Sequence, residues 1–279
     1  MTVGRRELVE LVLARLDSEE EQVRAEWESA DPGTPTQYAI IDDFLPEQIA
    51  YEIYEAFPKN GEGFLVRSSF RERKHTSYDF DHHPAILADV TFALQHPQVV
   101  KKFGAIMGVE TLEPDPHLYA GGLSMMLRGD FLNPHIDNSH EKTRTKYRRM
   151  NALLYVTPDW QEEFGGNLEL WDPAVKRPVT IVSRFNRLAL MQTNKGSWHS
   201  VSPVNVNRNR CCVSNYYFTE ESPTGEDYYH VTSFTGRPGQ QLRRTLGKLD
   251  NAARKLVREH TGLKRKTDVG YQGDMVAPD

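Results

Sequence analysis

His135, Asp137 and His199 are the residues of this chain whose types and spacing could do chemistry. Two imidazoles and one carboxylate form the ligand set that holds non-haem Fe(II) while leaving coordination positions open. On an extended segment side chains alternate with period two, so His135-Ile136-Asp137 presents its two polar members on one face. A third ligand, 64 residues further on, would close a facial triad from a distant strand. Imidazole suits iron, zinc and copper alike. A mixed site with vacant positions can take up O2 together with a bidentate cosubstrate, which favours iron and an oxygenase.

A His-x-Asp tripeptide says little by itself, so its meaning depends on the elements that hold it. Asn133-Pro134 prevents a helix directly before it, and Leu123 to Leu127 reads as an apolar strand. Further strands are expected at Leu153 to Val156, Gly165 to Trp171, Val179 to Val182, Arg187 to Met191, Trp198 to Val201 and Cys211 to Phe218. That makes about eight short strands between positions 118 and 219, punctuated by Pro, Gly and Asn. Such spacing predicts a sandwich or jelly roll whose two sheets enclose a pocket.

With those strands in place, the segment from about Leu118 to Phe218 resembles the Fe(II)/2-oxoglutarate-dependent dioxygenases, within them the prolyl 4-hydroxylase-like branch. Arg149 to Trp160 (RMNALLYVTPDW) is similar to the branch's strand that begins with Arg and ends before a Trp. Gly165-Gly166-Asn167-Leu168 matches its Gly-Gly-x-Leu turn, and His199-Ser200-Val201-Ser202-Pro203 its His-x-Val-x-Pro segment. The resemblance implies a mainly β fold with flanking α: a double-stranded β-helix (jelly roll) core, N-terminal supporting helices and a C-terminal helix. It also implies that His135, Asp137 and His199 bind iron. The cofactors it implies are Fe(II), 2-oxoglutarate and O2, with ascorbate as a candidate reductant. The reaction would release succinate and CO2 while hydroxylating a prolyl or other peptidyl residue, a free amino acid or a small biosynthetic intermediate.

2-Oxoglutarate chelating a metal leaves a distal carboxylate, which a planar, permanently charged guanidinium can bind bidentately. Arg208 and Arg210 share one strand parity, so facing does not separate them. Counting back from Tyr216-Tyr217-Phe218 as the family strand does selects Arg210. Tyr155 matches a family tyrosine that reaches the same carboxylate, and its plainer reading is a core aromatic. Relatives carry a second tyrosine about ten residues before the first iron ligand. This chain has Met125, Met126 and Leu127 there, so that contact is absent or supplied from elsewhere. Halogenating relatives replace the carboxylate ligand by a small residue, and Asp137 therefore favours hydroxylation. Asn138, Asn151 and Ser200 are candidates to orient the ligands, or ordinary turn and surface residues.

Composition bounds the reading without sharpening it. At 279 residues and 38% hydrophobic content the chain can bury a sizeable core as one elaborated domain. Its net charge of -5 gives no reason to expect a nucleic-acid partner. Cys211 and Cys212 are adjacent and point to opposite strand faces, which argues against a disulfide and for a reducing, cytoplasmic setting. No signal-peptide core or membrane-length apolar run is present in the sequence. Three divisions are expected: 1–115 as helical support, 116–220 as the core, and 221–279 as a C-terminal helix and tail. Helices are expected from Leu8 to Leu16, from Pro46 to Phe57, from Pro84 to Leu94 and from Pro97 to Met107, with a strand at Tyr38 to Ile41. Two basic stretches, His140 to Arg149 and Arg71 to His75, could fold over the mouth and hold an anionic substrate, or simply be solvated loops. His82-His83 reads as loop rather than a second metal site. A cupin-like metal enzyme without 2-oxoglutarate and an inactive jelly-roll binding module remain alternatives.

Overall fold

A computed structural model describes residues 3–29, 31–119 and 121–240. Of the C-terminal helix and tail expected within 221–279, everything from residue 241 on lies outside the described residues. Helix α1 (Arg5–Glu28) buries Leu8, Val9, Val12, Leu16, Val23 and Trp27 along one face, and so runs well past the apolar repeat that marks its first half. After strand β1 (Tyr38–Ile41) come α2 (Glu47–Ala56), the hairpin β2 (Leu65–Ser68) and β3 (Glu72–Ser77), then α3 (Ala85–Leu94) and α4 (Pro97–Met107). Proline in the first turn and Gly108 at φ 68° punctuate α4, because only a residue free of Cβ enters the left-handed region without strain.

The barrel strands follow: β4 (Glu113–Pro114), β5 (Gly122–Met126), β6 (Phe131–Ile136), β7 (Tyr147–Tyr155), β8 (Leu168–Trp171), β9 (Pro178–Ile181), β10 (Arg187–Gln192), β11 (His199–Val201), β12 (Arg210–Thr219) and β13 (Ser233–Phe234). They form one antiparallel, 13-stranded sheet in the order β1-β10-β7-β12-β5-β3-β6-β11-β8-β9, with β2 on β3, β4 on β12 and β13 on β6. This is the jelly roll: a helix-backed half around β10, β7 and β12 faces a half around β6, β11 and β8, with β3 joining them. β1 to β4 and β13 enter the same sheet as the strands between 122 and 219, so no break in the sheet falls at 116 or 220.

Coverage on both faces explains the continuous apolar runs. In β10, Leu188 and Leu190 pack toward the helices while Ala189 and Met191 fill the interior beside Tyr155, Leu168 and Leu170. Cys211 and Cys212 divide the same way, one in each cluster's surroundings, both buried and reduced. Among the described residues no helix is long and apolar enough to cross a membrane.

Candidate functional site

β6 and β11 are antiparallel neighbours with His199 directly opposite His135, which brings the two ring centroids to 4.1 Å. Asp137 follows the last residue of β6. Its carboxylate oxygens lie 3.4 Å from His135 Nε2 and 3.6 Å from His199 Nε2. Among the described residues this is the cluster of three ligating side chains, its donor atoms all within 4.8 Å of one another. Both Nδ1 atoms are spoken for: His135 Nδ1 donates to Asn133 O at 3.0 Å and His199 Nδ1 to Ser197 O at 2.9 Å. A carbonyl can only accept, so the proton sits on Nδ1 and the Nε2 lone pair points at the shared space, as a metal ligand requires. Burial, with the neighbouring His135, depresses the His199 pKa to about 4, which keeps that lone pair available at neutral pH.

Asp137 is fixed from behind by residues of β7. Arg148 Nη1 donates to Oδ2 at 3.1 Å and Asn151 Nδ2 to the same oxygen at 3.0 Å. Burial would raise this carboxyl, but the Arg148 charge and the two imidazoles outweigh it and hold the group well below the usual range. Arg148 is itself buried, donates to Asn138 Oδ1 and lies 4.2 Å over the Tyr216 ring. Reading 140–149 as a solvated loop is therefore wrong for Arg148, although Lys142 and Arg144 are exposed. Asn151 reaches the ligand set directly, whereas Asn138 touches it only through Arg148. Ser200 instead bonds Glu169 and Trp171.

A cavity runs from the triad into the barrel between Ser124, Leu153, Leu168, Met191, Cys212 and Arg210. Arg210, 4% exposed, has Nε bonded to Gly166 O and Ser183 Oγ at 3.1 and 3.3 Å, and no carboxylate partner among the described residues. It lies 4.6 Å over the Tyr155 ring, and the buried Tyr155 hydroxyl, close to Ser183 and Arg210, completes hydrogen-bond geometry with none of the described residues. Arg210 lines the cavity with the Tyr155 ring against it, and a buried cation placed so can receive an anionic acceptor. Arg208 lies outside, donating to Pro158 O at 2.7 Å. The turn supporting Arg210 needs glycine: a Cβ on Gly165, at φ 70°, would sit 1.9 Å from Pro203 O. Of Met125, Met126 and Leu127, Met126 lines the cavity, and so does Tyr216.

Other groups singled out from the sequence fall elsewhere. His82 pairs with Asp79 and His83 with Ser77, so the two rings share no ion. Arg73 and His75 both contact buried Asp130, while Lys74 lines the cavity. No apolar periodicity or motif marks the strap after β12. In it Phe234 stacks on His135 at 5.1 Å, and Arg237 clamps Glu169 at 2.6 Å.

Residues 121–218 match the family model described as the 2OG-Fe(II) oxygenase superfamily, so over this segment the chain is similar to that superfamily. Within it the likeness runs to the prolyl-hydroxylase branch. A curated relative, prolyl 3-hydroxylase OGFOD1 of Xenopus laevis, is 32% identical over 95 residues, covering 31% of this chain and 19% of its own length. The chain thus spans about a fifth of that relative. Among solved structures, a Trichoplax adhaerens prolyl hydroxylase in complex with a hypoxia inducible factor peptide fragment matches at TM-score 0.51 and 18% identity, covering 75% of this chain and 92% of that one. A Phytophthora capsici prolyl 4-hydroxylase matches at TM-score 0.53 and 19% identity, covering 88% and 78%. At such identities these last two likenesses concern the fold.

Proposed function

We propose that this protein is an Fe(II)- and 2-oxoglutarate-dependent dioxygenase that hydroxylates an unactivated C–H bond of a peptidyl residue, an amino acid or a small biosynthetic intermediate. The observation that carries this reading is the cavity's two ends: three ligand atoms with their lone pairs converging, and a buried guanidinium without a carboxylate. A cupin-like metal site without 2-oxoglutarate gives Arg210 no task, and an inactive binding module has no use for converging ligands.

In this reading His135, Asp137 and His199 hold the metal, and Arg148 and Asn151 keep Asp137 ionised and oriented. Arg210, with Tyr155 beside it, binds the distal carboxylate of 2-oxoglutarate. Bound iron and 2-oxoglutarate supply the activation of O2, with loss of CO2 and formation of succinate. The cavity's apolar wall of Leu153, Leu168, Met191 and Val201 excludes water from the reacting centre. Asp137 occupies the coordination position that a halide would need, which favours oxygen transfer. The catalytic unit is assigned to 116–220, supported by 1–115, with a cytoplasmic setting for its two reduced cysteines. Anaerobic addition of Fe(II) and 2-oxoglutarate tests the reading: a weak visible charge-transfer band supports it, and no band with His135, Asp137 and His199 intact overturns it.

A further inference from the structure

The cavity wall continues outward along the β2–β3 hairpin, and that continuation carries a cation with no hydrogen bond or ion pair among the described residues. Lys74 and Thr76 of β3 line the cavity. Arg67 of β2 is directly opposite Lys74, and Leu65 opposite Thr76, so all four side chains share one face. Two like charges set directly opposite destabilise a strand pair unless something neutralises them. Glu72 takes up Lys74 at 3.3 Å. Arg67 forms no hydrogen bond or ion pair among the described residues, although it is half-buried.

Its neighbours are otherwise engaged. Arg73 goes to Asp130 at 3.1 Å, Arg148 to Asp137 at 3.1 Å, and Arg71 lies over Phe70. The position of the Arg67 charge is registered by two groups. Burial raises the Glu72 carboxyl, and Lys74 and then Arg67 outweigh it. Burial and Asp137 push the Tyr216 phenol up, with Arg148 and Arg67 acting against them. Tyr216 lines the cavity, so the Arg67 guanidinium lies within electrostatic reach of the cavity wall. Exposed Leu65 adds an apolar surface on the same face.

We propose that Arg67, backed by Lys74, forms an oxyanion subsite at the cavity mouth, so that the substrate carries a carboxylate or phosphate group apart from the carbon that is oxidised. This rests on the oxygenase reading above. The planar fork of arginine suits either group bidentately, and Leu65 would pack against the apolar part of the same molecule.

The test uses protein loaded with Mn(II) and saturating 2-oxoglutarate, so that Arg210 is already engaged. Inorganic phosphate is titrated in while its phosphorus relaxation is recorded. A saturable paramagnetic enhancement is expected, weakened about tenfold or more in Arg67→Gln and less in Arg67→Lys, since a charged hydrogen-bonded contact is lost in the first and partly kept in the second. Displacement of phosphate by acetate marks a subsite that takes carboxylates, and resistance to acetate marks one built for phosphate. An enhancement that never saturates, or that Arg67→Gln leaves unchanged, overturns the subsite. If wild-type protein shows no Fe(II)–2-oxoglutarate band, it is instead the oxygenase reading that fails.

Discussion

Replacing Arg210 with Met should move stability and cosubstrate affinity in different ways. The guanidinium is buried against Gly166 O, Ser183 Oγ and the Tyr155 ring, with no anion to offset its desolvation. Its removal loses one charged Nε–H shared between two acceptors, worth about 1.5 to 3 kcal/mol, and recovers a desolvation cost of similar size. Gly166 O keeps its bond from Ser183 Oγ at 2.8 Å, so no carbonyl is orphaned. The two contributions nearly cancel, and the apo protein should unfold within about 1 kcal/mol of wild type. For 2-oxoglutarate the balance is different, because its distal carboxylate would enter the cavity without a counter-charge. Breaking one side of a buried charge pair costs about 3 to 5 kcal/mol, or roughly a hundred- to several-thousandfold in affinity. Urea unfolding of the apo protein and titration of the anaerobic Fe(II) complex with 2-oxoglutarate measure the two effects. Arg208→Met, altering a contact to Pro158 O outside the cavity, should leave the affinity nearly unchanged. A strongly destabilised Arg210→Met with wild-type affinity would refute the argument, and a damaging Arg208→Met would put the cosubstrate elsewhere.

His135→Ala, Asp137→Ala and His199→Ala should each abolish turnover and Mn(II) binding while the circular dichroism stays native; metal affinity retained in any one removes it from the ligand set. Arg148→Met strips Asp137 of its cation and should cost the apo protein about 3 to 5 kcal/mol, much of it recovered when Mn(II) supplies the charge, as denaturant curves with and without metal will show. The depressed pKa of His199, about 4 against an ordinary 6.5, means that the unfolded chain binds the extra proton first as pH falls. Apo stability should therefore drop between pH 6.5 and 4, by on the order of 3 kcal/mol from this residue, and saturating metal should add to stability above that window; a flat profile contradicts a buried neutral imidazole. In chloride or bromide buffer, product mass spectra from wild-type protein should show oxygenation alone, since Asp137 fills the position that a halide would take.

The triad was legible because period-two alternation and a register partner are all it needs: His135 and Asp137 flank one residue, and His199 lies on the strand that pairs with β6. Helix-backed strands such as β10 were legible for a related reason, being apolar on both faces. Parity could not separate Arg210 from Arg208. What separates them is where β12 begins, since Arg210 is its first residue and Arg208 is still in the turn. Arg148 was hidden in a basic run that resembles a solvated loop. Its burial depends on an irregularity in β7–β12 pairing at Tyr217/Phe218, which lays the guanidinium over Tyr216. β3 reads Glu-Arg-Lys-His-Thr-Ser and carries no apolar alternation, being held by pairing to β5 and β6. The strap with Phe234 and Arg237 is likewise polar, and tertiary contacts alone tie it down.

The central claim is that this chain couples 2-oxoglutarate oxidation to O2, and its most direct test is the mass of the succinate released under 18O2 in the presence of Fe(II). Wild-type protein should release succinate carrying one 18O, and Asp137→Ala should form none above background. Unlabelled succinate, or equal release from wild type and Asp137→Ala, would contradict it.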